Sequence, residues 1–365
     1  MKISTILMIC LVTGGSVSCG NSNSSTGTAT QSTTAIDPLN LADSVKYPPL
    51  PAQLFLPSDN VWNTPIDNAD TDANNMVIIR NLQVGVPDSE QKVIVDLSVP
   101  YYAGSNPDRN TQIKGLTTGD GADGNYGVPE DTIRFPRLDD KKPQASDPHL
   151  LIIDTTFHKL YELYGPKQDV GQAALWRHKG AAIFDLSRNI PSRQDGYTAA
   201  DAAGLPVLPG VLRFEELRRG EIKHALRVTL TAGQTVNAHI SPATHNPITG
   251  NAYNPTSPIT YLPMGARLRL KSSFNDTNFP AEAKTIIRCL KKYGLIIADI
   301  GPAFNISGTS DPRFDNRFSG YESFRLDSPT STLRLYDNIK KQDISWGNFE
   351  VVKMGKTSTA VRQYP

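Results

Sequence analysis

A mainly β fold, a β-sandwich or jelly-roll-like pair of curved sheets with a few short covering helices, is what this sequence predicts, on three observations. Gly and Pro each occur 27 times in 365 residues, which interrupts the chain too often for long helices. The apolar segments are short runs of strand length, rich in β-branched residues or alternating in polarity. Only one segment, "FPAEAKTIIRCLKKYG", carries a sustained helical stripe with start and stop signals at both ends.

Taken in order, the chain begins with "MKISTILMICLVTGGSVSCG", in which Lys2, the apolar run from Ile3 and the small residues Ser16, Val17 and Ser18 read as a signal peptide over residues 1–18. The run is too short to span a bilayer. Cys19 directly after those small residues resembles a bacterial lipoprotein signal, which implies lipidation of Cys19 and a membrane contact through the lipid alone. Residues 19–45, mostly Ser, Thr, Asn and Gly, read as a flexible tether. A single β-rich domain is expected over 46–365, with Cys289 as its only cysteine, hence no internal disulfide.

Within that domain "HLLIIDTTFHKLYELYG" (149–165) predicts a hairpin, and "AAIFDL", "ALRVTL", "ARLRLKSSF" and "GLIIADIG" predict further strands. "RFEELRRG" predicts a short helix stopped by Gly220. The main helix buries Ala283, Ile286, Ile287, Leu290 and Tyr293 and ends at Gly294. The loop "RNIPSRQDGYTAADAAGLPVLPG" (188–210) predicts a cleft wall with a short Ala-rich turn of helix carrying Asp201.

A net charge of +1 gives no electrostatic case for nucleic acid. Nucleophile-elbow, zincin, Walker and paired Cys-x-x-Cys motifs are absent from the sequence, so any chemistry comes from scattered residues gathered by the fold. Carboxylates that interrupt strands are the first candidates: Glu162, Asp185 and Asp299, with Asp201 in the dense loop. Sugar hydrolysis needs two carboxyl groups across the scissile bond. His224 opens "HALRVTL" on the face of Leu226, Val228 and Leu230, and Asp299 shares a face with Leu295 and Ile297. With His245, one hairpin further on, these could converge at one rim of a sheet as a metal site or an acid–base pair. Arg193, Tyr197, His245 and Arg313 are candidate substrate-binding residues. "NADTDANN", with Asp70, Asp72 and Asn74, lacks the Gly and Glu of an EF-hand, and Asp120, Asp123 and Asn125 in "GDGADGNYG" suit a turn or a shallow Ca²⁺ site.

"PSDNVWNTPID", "ADAAGLPVLPG", "GEIKHAL", "LPMGARLRLK", "LKKYGLIIAD" and "DPRFDN" together resemble a widespread group of secreted bacterial proteins. The resemblance covers about residues 55–320 and implies secretion and a shared fold, without an activity to transfer. Its matching positions with chemical potential are Asp185, Arg193, Asp201, His224, His245, Asp299, Asp311 and Arg313.

Secretion, a β-rich fold and aromatics suited to sugar rings (Tyr101, Tyr102, Tyr126, Trp176, Tyr197) predict an envelope-anchored glycoside hydrolase acting on polysaccharide with Glu162, Asp185, Asp201 and Asp299. The alternatives are a polysaccharide lyase with His224 or His245 as proton acceptor, a glycan-binding lipoprotein without chemistry, and a metal-stabilised domain built on His224, His245 and Asp299.

Overall fold

A seven-stranded sheet organises the protein, and three of its adjacent strands, Leu226–Leu230, Leu295–Ile300 and Arg267–Leu270, are apolar runs singled out above. Its order is Thr332–Arg334, Ile94–Val99, Asn305–Thr309, Leu226–Leu230, Leu295–Ile300, Arg267–Leu270 and Phe349–Val351. Leu226–Leu230 and Leu295–Ile300 are buried along almost their whole length, because both sheet faces are covered there. The structure, a computed structural model, describes residues 50, 55–84, 86–87, 91–104, 111–115, 134–135, 149–169, 172–189, 194–311, 314, 332–334, 336–337 and 342–360, with backbone alone at 104, 111–115, 134–135, 168–169, 172–176, 332–334, 336–337 and 342–343. Cys19, the signal and tether segments, Asp120, Asp123, Asn125, Tyr126, Arg193 and Arg313 lie outside the described residues, as does the side chain of Trp176. Among the described residues no helix is long and apolar enough to cross a membrane.

The fold is mainly β with few helices, as the run lengths imply, and its main sheet is mixed. Ile94–Val99 pairs parallel to Asn305–Thr309, and Leu226–Leu230 pairs parallel to Leu295–Ile300. The hairpin His149–Asp154 and Lys159–Tyr164 sits between Tyr101–Gly104 and Gly180–Asp185 in a second, four-stranded sheet. One face of it, carrying Leu151, Ile153, Leu160, Ala182 and Phe184, joins the main hydrophobic core. The other, carrying Leu150, Ile152, Leu163 and Ala181, forms a small separate cluster. Since cross-strand partners share a face, Glu162 opposite Leu151 and Ala182 is turned into the main core, and alternation along the strand turns His149 the same way as Leu151.

Three helices cover these sheets: α1 (Asn75–Gln83), α2 (Phe214–Arg219) and α3 (Ala281–Lys292). Helix α3 follows its stripe, with Ala283, Ile286, Ile287, Cys289, Leu290 and Tyr293 all buried. Helix α2 stops where expected, at Gly220 with φ +72, a left-handed conformation that favours glycine. Helix α1 begins at the end of the acidic stretch "NADTDANN". Asp72 Oδ1 accepts from the Asn74 amide at 2.8 Å and its Oδ2 from Met354 N at 3.2 Å, which ties that loop to the C-terminal segment. The Ala-rich turn of helix expected around Asp201 does not form. There the Asp201 carbonyl accepts from Ala199 N, Gly204 N and Thr198 Oγ1, which winds the chain into tight turns instead.

His224 is enclosed in the core rather than at a rim. Its Nε2 lies 2.8 Å from Glu216 Oε1 and its Nδ1 2.8 Å from the Ala225 carbonyl, so both ring nitrogens meet acceptors. Glu216 also receives the Arg213 guanidinium and, at 3.0 Å, the Arg213 amide; the guanidinium lies over the Phe55 ring. All three residues are buried. Burial alone would raise the Glu216 carboxyl, but Arg213 and His224 outweigh it and hold it below its ordinary 4.5.

A carboxyl lowered on folding stabilises the fold above its unfolded value and loses that contribution as pH falls through the folded one. Glu216→Gln and His224→Ala are therefore each expected to cost about 3–5 kcal/mol in urea unfolding at pH 7, since each strands a buried charge. The cost of Glu216→Gln shrinks once the pH drops below the ordinary carboxylate range.

Candidate functional site

Where the inner face of the four-stranded sheet meets the main sheet, the 197–208 loop passes between them and carries Asp201. Asp201 is wholly buried and grips Arg227, which donates from Nε at 3.0 Å to Oδ2 and from Nη2 to Oδ1. Arg227 Nη1 donates to Ser307 Oγ on the neighbouring strand, and Nη2 lies 3.5 Å from Asp299 Oδ2. One buried guanidinium therefore ties the loop to three strands of the main sheet. Arg227 stands on the face shared with Ala225 and Thr229, as alternation requires.

Asp299 departs from its expected face. Leu226, Arg227 and Val228 pair with Leu295, Ile296 and Ile297, but Thr229 then pairs with Asp299, so the register skips Ala298. This irregularity re-aims Asp299 from the Leu295 and Ile297 face onto that of Arg227, the role bulges play beside functional sites. Its Oδ1 accepts from Ile300 N at 2.8 Å and from Ala202 N at 3.2 Å. Its side chain keeps 13% exposure, whereas Asp201 keeps none.

The four-stranded sheet contributes His149 and Glu162. His149 packs against Tyr164 with ring centroids 5.5 Å apart. One donor atom from each of His149, Asp201 and Asp299 lies within 4.8 Å of the others, and this buried cluster could hold a metal ion. Glu162 instead holds the far end of the loop: Oε1 accepts from Val207 N at 2.8 Å and Leu208 N at 3.1 Å, and Oε2 from Val207 N at 3.0 Å. Burial pushes the Asp201 carboxyl up to about 6, Arg227 opposes the rise and the Glu162 charge adds to it.

His245 closes the same loop from the other side. Its Nδ1 lies 2.7 Å from the Ala202 carbonyl, so Nδ1 carries the hydrogen and Nε2 is the basic nitrogen of the neutral ring. Thr244 N and His245 N both donate to the Ala203 carbonyl, Gly196 N to Thr244 O, and Thr244 Oγ1 to the Tyr197 carbonyl at 2.7 Å. Segments 195–204 and 241–245 are thereby zipped together, which brings half-buried Tyr197 near His245 along the chain path.

The expected rim of His224, His245 and Asp299 is not formed. His224 precedes the start of Leu226–Leu230, while Asp299 is near the end of the parallel strand Leu295–Ile300, so they lie at opposite ends, roughly 15–20 Å apart at the ordinary rise per residue. Nor is His245 one hairpin from His224, because Thr235–Ile240 belongs to a separate sheet with Leu262–Met264 and Thr357–Ser358. Asp185 lies elsewhere again. Lys159 Nζ donates to it at 2.7 Å, and Ser187 donates from N at 3.0 Å and Oγ at 2.5 Å; Lys159 first, then Ser187, hold its carboxyl well below the usual range. Asp311 is buried and accepts from Tyr101 OH at 3.3 Å.

Asp185 lines a cleft of about 880 Å³, mouth included, with Asp59, Asn60, Trp62, Arg188, Asn189 and the Gly204–Pro206 segment, and the cis Ser241–Pro242 peptide forms part of its wall. Asn189 Nδ2 donates to Asp59 and Asn60 Nδ2 donates to Asn189 Oδ1 at 3.2 Å, so the polar groups of the cleft are mutually oriented. Gly204–Pro206 begins three residues after Asp201 and Thr244 precedes His245, which makes the cleft wall close in sequence to the buried cluster. Sequence reasoning did not pick out Arg227 or His149 as site residues. Arg227, on the opposite face from the aliphatic residues of its strand, was a readable signal; His149 at the start of a hairpin was not.

No family model, curated protein or solved structure matches the chain.

Arg227→Met is expected to cost about 3–5 kcal/mol in urea unfolding, because it leaves Asp201 buried without its cation. Adding Asp201→Asn should recover a substantial part of that loss, and the double-mutant cycle measures the coupling directly.

Proposed function

We propose that the protein is a carbohydrate-active enzyme of the bacterial envelope that cleaves a polysaccharide, binding it in the cleft bordered by Asp59, Arg188 and Asn189 and reacting at the Asp201, Asp299 and His245 centre. The observation that supports this most is the convergence of two carboxyl groups, a guanidinium and the His149 imidazole on a loop that also lines a polar cleft, with the His245 imidazole bonded to the Ala202 carbonyl of that loop. Groups of these types move protons and hold developing charge. Planar amide, carboxylate and guanidinium groups beside Trp62 and two prolines suit the hydroxyls and apolar faces of sugar rings.

The spacing bears on the kind of cleavage. Glycoside hydrolases hold their two carboxyls about 5–5.5 Å apart when retaining and about 6.5–9.5 Å when inverting. A carboxylate oxygen of Asp201 lies within 4.8 Å of one of Asp299, closer than either arrangement. Elimination from a uronate-containing chain needs no straddling pair. A base takes the proton on the carbon next to the carboxylate, the bond from the neighbouring carbon to the glycosidic oxygen breaks, and that oxygen leaves with a proton. Nε2 of His245 is the basic nitrogen for the first step, and Tyr197 stands on the adjoining loop for the last. The lyase form is therefore the reading we favour, with the glycoside hydrolase as its alternative.

The full-length protein, incubated with algal, plant and bacterial polysaccharides, is expected to release reducing ends together with absorbance near 232 nm from unsaturated uronate. His245→Ala should lower that rate by about 10²-fold or more, the usual contribution of a general base. Reducing ends without the absorbance would mean hydrolysis. A glycan that slows the protein in an affinity gel without being cut would leave only the binding half of the reading.

A further inference from the structure

We propose that His149, Asp201 and Asp299 bind a single divalent first-row transition-metal ion, with the remaining coordination positions left to water. The three donors come from separate parts of the fold, the second sheet, the 197–208 loop and the main sheet, and a donor atom of each lies within 4.8 Å of the others. Nitrogen and oxygen ligands about 2.0–2.2 Å from one ion stand up to about 4.2 Å apart, so small adjustments of the side chains close the set. His149 and Asp201 are more than nine-tenths buried, and the Asp299 side chain keeps a small exposed fraction.

A second observation points the same way. Two carboxyl groups with oxygens within 4.8 Å of each other repel unless something positive lies between or beside them. Arg227 meets part of that need through Asp201, yet its Nη2 is 3.5 Å from Asp299 Oδ2 and makes no hydrogen bond of ordinary length there. Asp299 Oδ1 accepts from two backbone amides, and Oδ2 is the oxygen on the side of Arg227. Arg227 does not exclude a metal from Asp201, because each carboxylate oxygen has two lone pairs and the guanidinium fork engages one on each. A shared proton is the competing way to settle the pair, but it would give the imidazole no part. One imidazole nitrogen with two carboxylate oxygens is a borderline set that suits Mn²⁺ to Zn²⁺ better than Ca²⁺. Three protein ligands with open positions is also the pattern of catalytic rather than structural sites.

The inference stands apart from the polysaccharide reading, because it is tested without substrate. Full-length protein is stripped with a chelator and dialysed, and Mn²⁺ and Zn²⁺ are titrated separately by calorimetry, with bound metal counted by mass spectrometry after desalting. One equivalent per chain is expected, together with a metal-dependent rise in the melting temperature. His149→Ala and, separately, Asp299→Asn should each weaken binding by about tenfold or more while the stripped variants still melt cooperatively. No saturable uptake of either ion, or uptake unchanged in both variants, would overturn the site and leave the carboxyl pair sharing a proton. Uptake without glycan cleavage would sink the enzymatic reading alone, and cleavage by stripped protein with no uptake would sink the metal alone.

Discussion

The buried guanidinium of Arg227 is the constraint on which the rest of the structure depends. A cation with 3% of its surface exposed persists in a protein interior only where its surroundings are committed to it. Here the commitment is Asp201 from the loop, Ser307 from one neighbouring strand and Asp299 from the other. Arg227 thereby fixes the path of the 197–208 loop, and that loop supplies the cleft wall at Gly204–Pro206. Glu162 holds the far end of the loop through two backbone amides, so the segment is anchored to both sheets at once. A substitution at this node should be felt in the shape of the cleft as well as in stability.

The acidic residues of the domain are sorted by their surroundings. Asp185, at a strand end beside Lys159 and Ser187, is kept ionised and orients the cleft. Glu216 is buried yet fully paired with Arg213 and His224. Glu162 accepts backbone amides. Asp201 and Asp299 differ from these, because two carboxyls lean on one guanidinium and an imidazole stands close by. Burial pushes the Asp201 carboxyl up, whereas those of Asp185 and Glu216 are held down, and a raised buried acid is characteristic of functional sites.

Much of this was legible in the sequence. Period and run length located the hairpin, the central strands and helix α3, and Gly220 marked the end of α2. Helix α1 was missed because a polar, Asn-rich start hid its buried Ile78, Ile79 and Leu82. The turns around Asp201 were mistaken for helix because an Ala-rich run has helical propensity, which the pull of Arg227 and the hydrogen bonds to the Asp201 carbonyl override. The grouping of His224 with Asp299 failed for a topological reason, since parallel strands put the start of one far from the end of the next. The face of Asp299 failed for a local one: a single skipped residue reverses the alternation, and nothing in "LIIADIG" announces it. Asp299, by contrast, was recognisable as a polar interruption of an apolar strand and Asp201 as the acid of the dense 188–210 loop, and the fold brings them together.

The central claim is that the 197–208 loop is part of the core, locked by Arg227, Asp299 and Glu162, and not a mobile surface segment. Native-state hydrogen exchange at the amides of Ala202, Val207 and Leu208 tests it most directly, because these amides donate to Asp299 and Glu162. They should exchange only through global unfolding, with the same free energy and denaturant dependence as the amides of Leu226–Leu230. Exchange by small, denaturant-independent openings while the central strands stay protected would contradict the account.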